Sequence, residues 1–266
     1  MAGIFAHAID LPRLICSLSL KGAGTQAQLV VDSRAKDVLE SFLLALDQMY
    51  RAVYFHKTVR AATHLASATL KRARFLGSQG KAWEDALFPA PGGVEDPLWS
   101  LLRDGDRTKL DVYRYTDEAL VWAKLPMWSR CEDATLAELS SRILARKFPK
   151  ALELPGEEGL LHSGRLVEIA REETRQLFPK LDADYFVCLD SPSRLSYKRY
   201  RVGEGPAGAI QVLLPDGSTR AVEDDRESIV GTLIQNKILS PRLLVLPEVR
   251  DRLRSNSEAA AMLRSK

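Results

Sequence analysis

A mainly α chain that closes with a small α+β module is the fold class the sequence predicts, on three observations. Residues 34–76 contain neither Pro nor Gly, and they repeat apolar side chains at helical spacing: Val38, Leu39, Phe42, Leu43 and Leu46, then Ala61, Ala62, Leu65, Ala68 and Leu70. Amphipathic stretches separated by capping residues continue to about residue 178. Beyond Tyr185 the pattern shortens to strand-like apolar runs bounded by turn signals.

Taken in order, Asp10 caps a short first helix with Pro12 in its first turn and Leu11, Leu14, Ile15 and Leu18 as its buried face; Gly22 and Gly24 end it. Residues 28–31 read as a short strand. Asp32 or Ser33 caps the long helical run, whose length makes a bend or break near His56-Lys57 an expectation. Residues 77–97, with Pro89-Ala90-Pro91-Gly92-Gly93, read as a loop. Helices follow over 97–103, 109–113 and 116–128. Asp133 or Thr135 caps the next, striped by Leu136, Leu139, Ile143 and Leu144 and running into Arg146-Lys147-Phe148. A charged amphipathic helix covers about 159–178, and a strand 185–189. Asp190-Ser191-Pro192-Ser193 makes a turn. Residues 210–214 and 218–222 flank Pro215-Asp216-Gly217 as a hairpin. A helix starting at Glu227 or Ser228 would bury Ile229, Leu233 and Ile234, followed by a strand at 242–246, a helix at 247–254 and a frayed tail from Ser255.

Composition narrows the function classes. The chain has 266 residues, 45% hydrophobic and 27% charged, with a net charge of +3. That balance of 38 basic against 35 acidic residues gives no clear nucleic-acid signal. No apolar run approaches the length of a membrane span, and no secretory signal is visible. Cys16, Cys131 and Cys188 are odd in number and form no CxxC pair, which reads as buried reduced thiols in a cytoplasmic protein.

One stretch stands out chemically. Tyr50, Tyr54 and Phe55 fall with Arg51, His56, Lys57 and Arg60 inside eleven residues of the long helical run. Tyr50 and Tyr54 share a helix face. The aromatics are either core with a solvated basic flank, or one side of a site for an anionic planar ligand such as a nucleotide. Other motifs fail on their mechanics. Gly203-Glu204-Gly205-Pro206-Ala207-Gly208 matches G-x-G-x-x-G, but a strand rather than a helix follows it, so it reads as a glycine-rich turn. Gly77-Ser78-Gln79-Gly80-Lys81 lacks Walker spacing. The histidines His7, His56, His64 and His162 form neither a His-Asp pair nor a zincin pattern, so the residues alone point to no catalytic set and no metal.

At Met49-Tyr50-Arg51-Ala52-Val53-Tyr54-Phe55-His56-Lys57-Thr58 the sequence resembles the HD-superfamily phosphohydrolases, in particular the branch that includes deoxynucleoside triphosphate triphosphohydrolases. Asp10-Leu11-Pro12-Arg13-Leu14-Ile15, the stretch from Asp133 to Leu154, Ala183 to Pro192, and Ile229 to Leu246 carry the likeness further, over roughly residues 4–254. The resemblance implies an HD-type helical bundle remnant in residues 1–80, a helical extension in 81–180, the α+β module in 181–254 and a flexible tail in 255–266. It implies hydrolysis of (deoxy)nucleoside triphosphates or related phosphoesters, assisted in the full-length family by divalent metal held by a His…His-Asp…Asp set. That set lies upstream of the position matched by Asp10, so the expectation is a truncated portion without metal ligands, inactive alone. Leu46 stands where relatives carry a phosphate-facing Arg.

By the same resemblance Tyr50 and Tyr54 form a substrate-pocket wall, and His56, Lys57 and Arg146 line a nucleotide site. A non-catalytic nucleotide-binding or oligomerisation module is the alternative reading. Its implied partners are a nucleotide and either a second copy or the missing HD portion. An apolar face exposed on the first helices is a further expectation.

Overall fold

The computed structural model describes residues 9–24, 27–161, 163–195, 209–225, 228–230 and 237–264. The fold is mainly α, with short strands. It divides into two compact units: Met1–His56 with Pro192–Ser240, and Lys57–Ser191 with Pro241–Lys266. The boundaries expected near residues 80 and 180 do not coincide with the edges of these units. Strands far apart in sequence pair with one another, so each unit is assembled from two separate stretches of chain.

In the first unit, α1 (Leu11–Cys16) starts as read, with Asp10 Oδ1 accepting from the Arg13 backbone N–H at 3.0 Å. Its burial differs from the expectation. Leu14 is buried, but Leu11, Ile15 and Leu18 are exposed. Nor do Gly22 and Gly24 end a helix. The helix stops at Cys16, and β1 (Leu18–Lys21) forms an antiparallel hairpin with β2 (Gln28–Asp32). β2 runs parallel to β6 (Gln211–Leu213), which turns back as β7 (Thr219–Ala221), giving the order β1-β2-β6-β7. The β6–β7 hairpin is the one expected at Pro215-Asp216-Gly217, with Gly217 at φ 80° and the Asp216 carboxylate accepting from the Ser218 N–H at 2.9 Å. β5 (Ser193–Leu195) and β8 (Lys237–Leu239) make a separate two-stranded pair.

The core of this unit joins Val31, Val38, Leu39, Leu43, Val212 and Val222 between the sheet and α2 (Lys36–Met49). Ile229, expected buried, is exposed. Glu227, Leu233, Ile234, His7 and the 203–208 glycine stretch lie outside the described residues.

The expected break in the long helical run is present. α2 ends at Met49, a wide π turn spans Tyr50–Tyr54, and α3 (Lys57–Gly77) starts three residues later. The Phe55 N–H donates to the Tyr50 carbonyl at 2.9 Å, five residues back, and Phe55 itself leaves helical geometry at φ −96°, ψ 8°. With no Pro or Gly present, that extra residue in the turn is the cause of the break.

The second unit packs α3 against α8 (Ala134–Leu144), α4 (Lys81–Leu87) and α5 (Pro97–Asp104). α6 (Leu110–Tyr113) and α7 (Glu118–Trp128) follow α5 along the chain as expected. Its sheet has the order β3-β9-β4, all antiparallel, with β9 (Arg242–Val245) buried between β3 (Lys150–Glu153) and β4 (Cys188–Asp190). α9 (Gly156–Leu161) and α10 (Ser163–Leu177) replace the single helix expected over 159–178, and His162 between them lies outside the described residues. The strand expected at 185–189 begins at Cys188, because Ala183–Tyr185 is a 3-10 turn capped by Asp182.

Two further expectations are corrected. The stretch 77–97 is not all loop: α4 occupies Lys81–Leu87, and Leu87 and Phe88 are buried. Helix also continues into the stretch read as a frayed tail, as far as Arg264. After α11 (Pro247–Ser255), Asn256 caps α12 (Ser257–Arg264) by accepting from the Ala259 N–H at 3.0 Å, and Ala259 is fully buried against α10 and α11.

Cys16 is exposed rather than buried; Cys131 and Cys188 are half-buried, and all three are free thiols. Among the described residues no helix is long and apolar enough to cross a membrane.

Gly77 ends α3 under Trp99 and Phe88. A Cβ there would meet the Trp99 ring at 2.6 and 2.8 Å and Phe88 Cε2 at 3.1 Å. Gly77→Ala therefore overpacks the core, and the expected loss is about 1–3 kcal/mol in a urea titration.

Candidate functional site: a cationic pocket beside Lys57 and Arg146

The second unit contains a pocket of about 570 Å³ lined by Lys57, Thr58, Arg146, Phe148, Lys150 and Arg250, together with Pro149, Ala151 and Arg254. Five of its nine lining residues are cationic and none is acidic. The chain delivers them from four places. Lys57 and Thr58 form the first turn of the 21-residue α3, whose N-terminal backbone N–H groups favour an anion. Lys150 opens β3. Arg250 and Arg254 lie one turn apart on α11.

Arg146 has a backbone explanation of its own. α8 does not continue through Phe148 as expected; it stops at Leu144. The Lys147 N–H donates back to the Arg142 carbonyl at 2.9 Å and the Arg146 N–H to Ile143 at 3.0 Å, the hydrogen bonds of a Schellman turn. That turn puts Arg146 at φ 54°, the only positive-φ non-glycine among the described residues. A glycine would take this position without strain; the arginine costs about 1–2 kcal/mol.

The cations are also available. Arg250 is paired with the exposed Asp251 at 2.9 Å. Among the described residues Lys57, Arg146, Lys150 and Arg254 have neither a carboxylate nor a carbonyl partner for their side chains. All four are exposed. Four like charges around one cavity without counter-ions repel one another, so an anion entering it gains from each.

Of the residues singled out from sequence, the structure thus brings Lys57 and Arg146 together. His56 is exposed and belongs to the other unit, as do the two tyrosines. Tyr50 and Tyr54 sit on the π turn with ring centroids 4.8 Å apart, and Phe55 packs edge-on to Tyr50 at 5.9 Å. Tyr54 is 51% exposed, which removes the reading of it as core. Leu46 is half-buried on α2. Lys150, Arg250 and Arg254 were not singled out from sequence. The i, i+4 spacing of Arg250 and Arg254 was the available signal, but a surface helix shows the same spacing.

Among the described residues no group of three or more His, Cys, Asp and Glu is placed to hold a divalent metal. Asp190, a buried carboxylate of β4, is already engaged by Arg60 and Arg242. No chemical step is derived through a metal.

With this geometry in view, comparison with known proteins gives the following. No family model matches the chain. The uncharacterized protein YwfO of Bacillus subtilis is 26% identical over 222 residues, covering 83% of this chain and 47% of its own length. A phosphohydrolase from Bacteroides thetaiotaomicron has a similar structure, with a TM-score of 0.62 and 26% identity over 88% of this chain and 55% of that one. A hypothetical protein from Aquifex aeolicus shares the fold at a TM-score of 0.54 and 22% identity, over 96% of this chain and 51% of its own. The fold is therefore similar to that of a phosphohydrolase, and the chain spans about half the length of the relatives it matches.

Proposed function

We propose that this chain is the nucleotide-binding part of an HD-type, dNTP triphosphohydrolase-like phosphohydrolase, and that alone it binds (deoxy)nucleoside triphosphates without hydrolysing them. The observation that carries the reading is the pocket beside Lys57 and Arg146, with four cations that lack carboxylate partners. A nucleoside triphosphate offers three to four negative charges to such a pocket, and arginine forks match phosphate oxygens in pairs. The likeness to the Bacteroides phosphohydrolase supports the class of chemistry for the whole protein. Two features of the sequence support the expected lack of turnover: it has no His-Asp dipeptide, and by the family resemblance Leu46 stands where relatives carry a phosphate-facing arginine.

Calorimetry with dGTP and GTP tests the binding. Micromolar affinity is the expected result, with Lys57→Ala weakening it by about 10- to 100-fold, the size of a lost charge-assisted contact. Arg146→Gly separates binding from folding. It relieves the left-handed backbone strain, so thermal stability is kept or raised while nucleotide affinity falls. No heat with any nucleotide would overturn the reading. Incubation with dNTPs and Mn²⁺ or Mg²⁺ tests the rest: triphosphate release by this chain alone would contradict the proposed loss of activity.

Leu11, Ile15, Leu18, Leu20 and Leu29 are exposed in the first unit. We take these to support self-association or docking to an HD portion. A strictly monomeric elution in sizing chromatography counts against the first of these.

A further inference from the structure

A second pocket, of about 340 Å³, lies elsewhere in the same unit and is lined by His64, Ala68, Lys71, Asp182, Asp184 and Tyr185. Its two walls differ in chemistry. His64, Ala68 and Lys71 are spaced i, i+4 and i+7 on α3, so they share one helix face. The opposite wall is the 3-10 turn at Ala183–Tyr185 with its cap, Asp182.

The α3 wall carries unused hydrogen-bonding capacity. The Lys71 ammonium is exposed and has no ion pair or hydrogen bond among the described residues. His64 Nε2 is buried without a partner. Burial pushes the imidazole below its ordinary range; the nearby Lys71 charge acts in the same direction, and a hydrogen bond to the Tyr185 backbone only partly opposes it. The ring is therefore neutral near pH 7 and forms an uncharged floor between Lys71 and the turn.

The opposite wall is anionic and held in place. Asp182 is 3.3 Å from Arg72 and accepts the Asp184 N–H at 3.2 Å; Asp184 is 2.9 Å from Arg171. The Arg72 guanidinium lies over the Tyr185 ring at 5.2 Å and fixes the turn from below. Each carboxylate keeps lone pairs beyond those its arginine uses.

A free cation on one wall and carboxylates on the other suit a ligand that carries both charges. The volume is at the small end of ligand sites and too small for a nucleotide's three parts together. We propose that this pocket binds a free α-amino acid, its carboxylate on Lys71 and its ammonium on the Asp182 and Asp184 carboxylates. This assignment is independent of the nucleotide reading of the Lys57 and Arg146 pocket. An inorganic anion is disfavoured by the two aspartates, and a simple amine by Lys71.

The test is thermal melting of the full chain with each of the twenty amino acids at millimolar concentration, beside the matching α-hydroxy acids and N-acetyl amino acids. At about 100-fold over Kd, one or a few amino acids raise the melting temperature by roughly 5–10 °C. The hydroxy and N-acetyl forms, which lack the ammonium, give no rise. Lys71→Met keeps the stem and removes the charge, and is expected to weaken binding by about 10- to 100-fold. Asp184→Asn is the second variant, at an exposed side chain, and is expected to weaken binding as well; if it alters the turn, the analogue series on the unaltered chain still decides. The proposal is overturned if no amino acid shifts the melt, if hydroxy acids bind as well as amino acids, or if Lys71→Met responds like the unaltered chain.

Discussion

Trp128→Ala is expected to lower stability by about 3–5 kcal/mol, the range for deleting a buried large aromatic. Trp128 is fully buried at the end of α7. Its ring meets Phe88 edge-on at 5.7 Å, and Phe88 in turn stacks on Trp99 at 4.8 Å. The indole Nε1–H donates to the Leu87 carbonyl at 3.1 Å, tying the end of α4 to α7. Alanine would leave a cavity under three helices and a buried carbonyl with no donor. Against a typical domain stability of about 5–15 kcal/mol, that is a large fraction. Urea denaturation followed by circular dichroism should show a lower midpoint at nearly unchanged slope. Trp128→Phe separates the two parts: it keeps most of the ring and loses the hydrogen bond, for about 0.5–1.5 kcal/mol from that bond. Equal losses for Phe and Ala would argue against packing as the main contribution.

Asp190→Ala is the second large effect, at about 3–5 kcal/mol. The Asp190 side chain is 7% exposed at the end of β4. Arg60 Nε reaches its two oxygens at 3.1 and 3.2 Å, and Arg242 Nε lies 3.6 Å away from the neighbouring strand. Arg60 is 35% exposed and can turn to water; Arg242 is 4% exposed and cannot. Burial pushes the Arg242 guanidinium below its ordinary range, with Asp190 the first of the charges that offset this. Removing Asp190 therefore takes away the carboxylate that contributes most to offsetting the burial of this cation. Adding Arg242→Met to Asp190→Ala should recover much of the loss, because an apolar side chain needs no counter-charge there. A double variant no better than the single one would sink this explanation.

How much of this was legible beforehand depended on the kind of signal. Local signals were read well. The Asp10 and Asp133 caps, the break near His56, the hairpin at Asp216-Gly217 and the β9 strand all follow from residue types acting on their immediate neighbours. The misreadings share a different cause. β1 and β3 are short, and their strand character comes from pairing with β2 and β9 rather than from their own composition. α4 lay hidden among glycines and prolines, because it is stabilised by packing Leu87 into the core rather than by propensity. α12 reads from sequence as a frayed tail, and it is the burial of Ala259 against α10 and α11 that gives it a place.

The candidate sites divide in the same way. The Tyr50, Tyr54, His56 and Lys57 cluster was visible as a run of residues. A break there was expected from the length of the run, but not that its two sides belong to different units, since a continuous apolar period gives no sign of which core each side packs into. Lys57 and Arg146 were named together through family resemblance alone; no spacing links residues 89 positions apart.

By itself, then, the sequence determined the helical class, most helix starts, the hairpin and the lack of a His-Asp pair. Those are matters of local stereochemistry and residue identity. Only the tertiary structure decided that Lys150, Arg250 and Arg254 surround the same space as Lys57 and Arg146, and that Lys71 lines one pocket with two aspartates. The physical reason is that charge acts through space: side chains far apart in the chain share a field once pairing and packing bring them to one cavity.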